Sequence, residues 1–223
     1  VNAKDIDVSN LKLKVLVYGK SGTGKTTFAC TFPRPYVFDF DNGMLSQRGK
    51  DIDYDTYTNW KLFFQKLREF EQKCEFETLV IDSVTTLQEY MMQEILTLNK
   101  RVEPTLHEWG RLVDWLQNLF LLLTKLTQHI VVVAHEQLLQ DELTSEITIL
   151  PLIVGKKMPA QLPLFFDEVY RCQTARNKEG KPVYQLLTTA DVKYSAKSRL
   201  GCLDVIETPD YNVIMGKLKG EKE

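Results

Sequence analysis

The sequence predicts an α/β fold: a mostly parallel central sheet with helices on both faces and an antiparallel extension at the C-terminal end. Three observations predict it. Short apolar runs around residues 13–17, 36–40, 78–81 and 129–134 read as buried strands. Between them, apolar residues fall at helical spacing, so strand and helix alternate, the order that gives a parallel sheet covered on both sides. Beyond Asp167 the pattern changes to two strand-like runs, Val169–Thr174 and Val183–Thr188, on either side of Asn177-Lys178-Glu179-Gly180, a hairpin signal.

The totals bound what such a fold can be. The 223 residues suit one domain, with a core over about 12–205, a polar lead-in before it and a lysine-rich tail after Ile214. Lys and Arg number 28 against 30 Asp and Glu, a net charge of −2, so no global basic field exists and any nucleic-acid contact has to come from a local patch. Cys30, Cys74, Cys172 and Cys202 form no C-x-x-C pair, which argues for free thiols over a disulfide or zinc site. No apolar run approaches the ~18 residues of a membrane span, and no signal-peptide pattern opens the chain. The expectation is a cytoplasmic protein with no membrane partner.

Taken in order, the first strand run (Leu13, Val15, Leu16, Val17) leads into Gly19-Lys20-Ser21-Gly22-Thr23-Gly24-Lys25-Thr26-Thr27, which fits G-x-x-x-x-G-K-[ST]. Gly22 and Gly24 permit a backbone path that turns successive N–H groups inward around phosphate oxygens. The helix beginning near Lys25 adds its positive end. Gly19, Ser21, Gly22, Thr23, Gly24, Lys25, Thr26 and Thr27 are therefore the expected nucleotide-binding residues. Lys25 is expected on the β- and γ-phosphates and the Thr26 hydroxyl on Mg²⁺, with ATP as the nucleotide.

Tyr36–Asp41 follows as a second strand ending in acid, and alternation at Ile52, Tyr54 and Thr56 suggests a short edge strand. Trp60, Phe63, Phe64, Leu67 and Phe70 make a helix with Asn59 as its cap. Thr78–Ser83 is an apolar strand that delivers Asp82 at its tip, the position from which a Walker B carboxylate reaches the Mg²⁺ shell. Helices are expected from about Thr85 to Asn99 and from about Thr105 to Thr127, the second too far from H-E-x-x-H at His107-Glu108 to suggest a metal. His129–Glu136 is a further strand ending in polar groups. Gln137–Leu150 is a candidate mobile loop, residues 147–154 look partly extended, Gly155-Lys156-Lys157 follows, and a short helix is expected around Pro159–Phe165.

Several P-loop classes fit less well. Asp82 is followed by Ser83, so the D-E pair of AAA+ and helicase proteins is missing; no N-K-x-D guanine signature occurs, and Arg171 and Arg176 are too sparse for a kinase lid. Val80-Ile81-Asp82-Ser83-Val84-Thr85-Thr86-Leu87 resembles the Walker B strand of the RecA/RadA/KaiC group. Phe38-Asp39-Phe40-Asp41 is similar to that group's catalytic-carboxylate pattern, with Asp41 where glutamate is usual. The resemblance implies that Asp41 orients the attacking water, with Glu136 as a competing base, and that His135 senses the γ-phosphate. It implies that residues 137–155 form the loop that contacts single-stranded DNA, with Lys156 and Lys157 as DNA-binding residues. Lys197 and Arg199 resemble the K-x-R pair inserted into a neighbouring subunit's ATP site. The chain thus resembles phage-encoded RecA-like proteins associated with single-strand annealing. That resemblance implies partners by class: single-stranded DNA, further copies of the chain in a ring or filament, and an annealing or single-strand-binding protein. Two other readings stay open: a nucleotide-gated module with little turnover that recruits such a protein, and a DNA-independent P-loop NTPase.

Overall fold

A computed structural model describes residues 2, 10–140, 145–155 and 157–220. Side chains of the central strands alternate between two faces, and both faces are apolar. In β1 (Lys14–Gly19), Leu16 and Tyr18 enter one core while Val15 and Val17 enter the other. Period-2 alternation and burial on both sides together produce the near-continuous apolar run seen in the sequence.

The remaining strands are β2 (Pro35–Asp39), β3 (Asp53–Thr56), β4 (Thr78–Asp82), β5 (His129–Gln140), β6 (Ile147–Pro151), β7 (Glu168–Arg176), β8 (Pro182–Leu187) and β9 (Ile206–Glu207). Among the described residues the sheet order is β3-β2-β4-β5-β1-β7-β8-β9, with β6 pairing on the outer half of β5. The strands from β3 to β7 in that order run parallel, and β8 and β9 complete the sheet antiparallel. β5 lies between the P-loop strand β1 and β4. All four tips that matter, those of β1, β2, β4 and β5, therefore open on one edge.

One face is covered by α2 (Trp60–Gln72), α3 (Val84–Leu98) and α4 (Leu106–Lys125). Each starts where its cap predicts. Asn59 accepts from the N–H groups of Lys61 and Leu62, and Ser83 accepts from that of Thr86. Thr105 and Glu108 form a capping box, which accounts for Glu108 without a metal. The other face carries α1 (Lys25–Ala29), a helix of five residues, and α6 (Tyr211–Leu218). The stretch read in the sequence as a lysine-rich tail after Ile214 continues this helix as far as Leu218; α6 is capped by Asp210 and buries Ile214 and Met215. The backbone N–H of Tyr211 donates to Thr31 Oγ1 (2.9 Å), tying α6 to the end of α1.

A second difference concerns Gln137–Leu150. β5 runs on through Gln140 and β6 returns beside it, with Glu136 opposite Pro151 and Gln140 opposite Ile147. The candidate mobile loop is largely a two-stranded arm; residues 141–144 lie outside the described residues. Beyond it, α5 (Met158–Gln161) and a 3-10 turn over Leu162–Phe165 supply the short helix expected there.

Candidate functional site

The phosphate loop joins β1 to α1 at the carboxyl edge of the sheet. Gly19 lies so close to β7 that a Cβ there would come within 2.5 Å of the Cys172 carbonyl oxygen. Gly24 caps α1 with φ of 87°, in the left-handed region. Lys25 is buried, and its Nζ donates to the carbonyls of Gly19 (3.0 Å) and Lys20 (2.8 Å), so the ammonium sits at the base of the loop. Burial lowers its pKa against the opposing pull of Cys172, Asp82, Asp41 and Glu136. Thr23 Oγ1 donates to the Lys20 carbonyl (2.8 Å), bracing the turn, and Thr27 Oγ1 accepts from Gln47 Nε2 (3.0 Å).

Across the loop stands Asp82, at the tip of β4. The Thr26 hydroxyl donates to its Oδ2 (2.6 Å). Burial pushes the Asp82 carboxyl up to about 6, with the Thr26 hydrogen bond pulling the other way. A Cβ on Gly43 would lie 3.7 Å from Thr26 Oγ1 and 3.9 Å from Asp82 Oδ2, so space is kept beside this oxygen pair. A hydroxyl and a buried carboxylate, both hard oxygen donors beside a phosphate loop, fit a Mg²⁺ ion that keeps several waters. Asp39 adds structure: its Oδ1 accepts from the backbone N–H groups of Asp41 (3.2 Å) and Gly43 (3.1 Å) and fixes the turn that follows β2. The Asp82–Ser83 peptide is cis.

β2 ends at Asp39, two residues short of the expected strand, so Asp41 sits in the turn rather than the ladder. Its carboxylate is surrounded by donors. Oδ1 accepts from Ser83 Oγ (3.1 Å) and from Thr86 Oγ1, and Oδ2 meets His135 Nε2 at 3.1 Å. Burial acts to raise the Asp41 pKa, but the hydrogen bonds from His135, Thr86 and Ser83 outweigh it and hold the carboxyl below its ordinary value. His135 is itself pinned by its backbone: its N–H donates to Thr85 Oγ1 (3.0 Å) and its carbonyl accepts from Leu152 N (2.7 Å). Glu136, next on the strand, takes a different partner. Its Oε2 accepts from Arg171 Nε (3.0 Å), both side chains are less than 10% exposed, and the guanidinium lies 4.0 Å from the centre of the Tyr194 ring.

One cavity of about 790 Å³ contains Ser21, Gly22, Gly24 and Lys25 through Thr27, together with Asp41, Asp82, Thr86 and His135. Tyr184 and Pro209 also line it. Neither was legible as a site residue. Tyr184 is on β8, and its ring atom Cδ1 lies 3.3 Å from where a Gly24 Cβ would stand. The cavity therefore has an ionic end beneath β2, β4 and β5 and an apolar wall on the β8 side of the loop.

Lys197 and Arg199 are not in this cavity. Lys197 bridges to Val169 on β7, and its Nζ donates to the carbonyls of Pro163 (2.8 Å) and Phe166 (2.6 Å) of its own chain. Arg199 pairs with Asp167 (2.9 Å), beside the start of β1, and its side chain is 58% exposed. Both lie at the amino edge, away from their own phosphate loop. Lys157 is exposed at the start of α5; Lys156 lies outside the described residues. No helix of the described residues is long and apolar enough to cross a membrane.

A family model described as an AAA domain, AAA_24, matches residues 11–200, most of the chain. No curated protein matches significantly. The missing D-E pair after β4 set the chain apart from AAA+ proteins in the sequence; Asp82-Ser83 is nonetheless compatible with an AAA-domain match.

Proposed function

The chain belongs to the AAA_24 family of AAA domains, and from that premise we propose that it is a Mg²⁺-dependent ATPase of RecA-like type that assembles on single-stranded DNA in phage recombination or annealing. The family supplies the coarse part, a P-loop domain that binds and hydrolyses nucleotide. One observation carries the chemistry: Lys25, the Thr26–Asp82 pair and the Asp41–His135 pair converge on one cavity at the carboxyl edge of the sheet.

In this reading the loop amides and Lys25 hold the β- and γ-phosphates, and Thr26 and Asp82 hold the metal. Mg²⁺, when bound, neutralises charge on those phosphate oxygens. Asp41 and His135 stand where the γ-phosphate and the attacking water meet. Tyr184 and Pro209 flank the base. The DNA and assembly parts rest on the sequence resemblance, with Lys156 and Lys157 as the DNA contacts. Of the K-x-R pair, Arg199 has the exposed head suited to reaching a neighbour's γ-phosphate, while Lys197 anchors the segment to its own chain.

The test is ATP hydrolysis over a range of protein concentrations, with and without single-stranded DNA. Specific activity that rises with concentration and with DNA supports the reading. Flat, DNA-blind turnover would leave the ATPase and remove DNA and assembly. A second reading, a nucleotide-gated module that recruits a protein, is favoured by an apolar groove of about 860 Å³ beside the arm, lined by Met92, Trp109, Val113, Leu139, Leu150 and Pro159 among others. Tight ATP binding without turnover would select it.

A further inference from the structure

We propose that the general base for ATP hydrolysis is His135, acting through its Nδ1 atom, and that Asp41 is the positioning residue that orients and tautomerises the ring. The inference rests on the ATPase reading and deepens it.

Three groups near the γ-phosphate end could take a proton from water: Asp41, Glu136 and His135. Two are already committed. Glu136 is sealed into its buried pair with Arg171, which also donates from NH1 to Gln173 Oε1 (3.0 Å). A carboxylate in such a pair gives up its partner to accept a proton, which leaves a buried guanidinium uncompensated. Asp41 receives donors on both oxygens, from Ser83, Thr86 and His135. Ionised carboxylates accept only, so a carboxylate satisfied this way is a poor proton acceptor but a good orienter.

The same hydrogen bonds settle the ring. Ser83 Oγ accepts from Thr86 N, which turns its hydroxyl proton toward Asp41. Because Asp41 accepts from every neighbour, His135 Nε2 carries the hydrogen, and Nδ1 of the neutral ring keeps its lone pair. Among the described residues no protein group bonds Nδ1, and the ring borders both the nucleotide cavity and a smaller one beside Lys20 and Ser21. The arrangement has the logic of a carboxylate–imidazole pair, a partly buried acid holding a histidine in the tautomer its chemistry needs. It also explains why aspartate serves at position 41. The side chain has to reach Nε2 of a histidine, not the water itself.

The step balances. A water O–H bond breaks as its oxygen bonds to the γ-phosphorus, and the proton passes to Nδ1. The bond from that phosphorus to the bridging oxygen breaks, and its electron pair leaves on ADP. The imidazolium then releases the proton to solvent.

The test uses the full chain with Mg²⁺ and ATP, measuring ATP affinity beside turnover in each variant. His135→Ala and His135→Gln are expected to lower kcat by about 10²–10⁴-fold with little change in ATP affinity. The glutamine keeps a donor to Asp41 but has no basic nitrogen, so its loss of rate with intact ATP binding separates chemistry from folding. Added imidazole is expected to restore turnover to His135→Ala and not to Lys25→Ala. Asp41→Asn is expected to lower kcat, and added imidazole to leave it low. Wild-type turnover with an active His135→Gln, or a Glu136→Gln variant that binds ATP and loses as much rate as His135→Ala, would overturn the dyad and leave the ATPase reading standing. Absence of turnover in the wild type would overturn both.

Discussion

His129 and His135 stand on the same strand, one where β5 enters the sheet and the other where it leaves the buried stretch. His129 is 1% exposed, and its ring is used up by the fold: Nδ1 accepts from the backbone N–H of Leu13 (3.1 Å) and Nε2 meets the Tyr211 hydroxyl at 3.4 Å. Phe32 and Tyr211 pack edge-on against it. His135 has a third of its side chain exposed, with one nitrogen on Asp41. The difference shows how an α/β sheet divides labour between its edges. At the amino edge polar groups close hydrogen bonds left by strand starts; at the carboxyl edge they are held by one side and left open on the other.

The sharpest way to break this division is to cross it with activity and stability measured together. Lys25→Ala, at the carboxyl edge, is expected to lower ATP turnover by about 10³-fold or more while leaving the melting temperature nearly unchanged. A large drop in melting temperature would show that the loop is part of the structural core after all.

At the amino edge the expected effect is on stability and its pH dependence. Burial, reinforced by Lys12 and Lys14, lowers the His129 pKa from 6.5 to about 4. The folded state therefore binds fewer protons than the unfolded chain between those values, so stability is complete above pH 6.5 and falls as pH drops toward 4. Over that window the loss is about 3 kcal/mol. Denaturant unfolding of wild type and His129→Gln at pH 7 and 4.5 checks it. The variant starts less stable and loses less on acidification; an equal loss in both would remove His129 from the acid response.

The smallest effect sharpens the cavity's two ends. Tyr184→Ala is expected to weaken ATP about tenfold, within the ~1–3 kcal/mol of a base–aromatic stack, and to leave inorganic tripolyphosphate binding unchanged. Calorimetry with both ligands decides it. Equal weakening would mean that Tyr184 only shapes the phosphate loop through Gly24.

How much of this was legible in the sequence follows the same geometry. The loop from Gly19 to Thr27 could be read because its partners are its own backbone and the helix it opens. Asp82 could be read because an apolar strand points at it. The Asp41–His135 contact could not, since Asp41 lies in the turn after β2 and His135 on β5, and they meet only through the sheet order. Glu136 could be noticed but not placed, because Arg171 reaches it across β1. Tyr184 gave no signal at all: its place in the cavity wall depends on β8 folding back toward Gly24. The helix α6 was hidden by its eight-residue length and by Gly216 inside it. The outer part of the β5–β6 arm was hidden because Leu138, Leu139 and Gln140 are all exposed, so no buried face marks it as strand.

Pro209 immediately precedes the cap of α6, and that small fact has a temporal consequence. On the proposed reading, a base seated beside Pro209 leaves freely only when the first turn of α6 yields. That turn is secured by Tyr211 on Thr31, by the Asp210 cap and, further along, by Lys217 on Glu207 (2.8 Å). Dwell time would then follow the fraying of a short helix, a local opening event, and product escape could be retuned at the far end of the chain without altering a single phosphate contact.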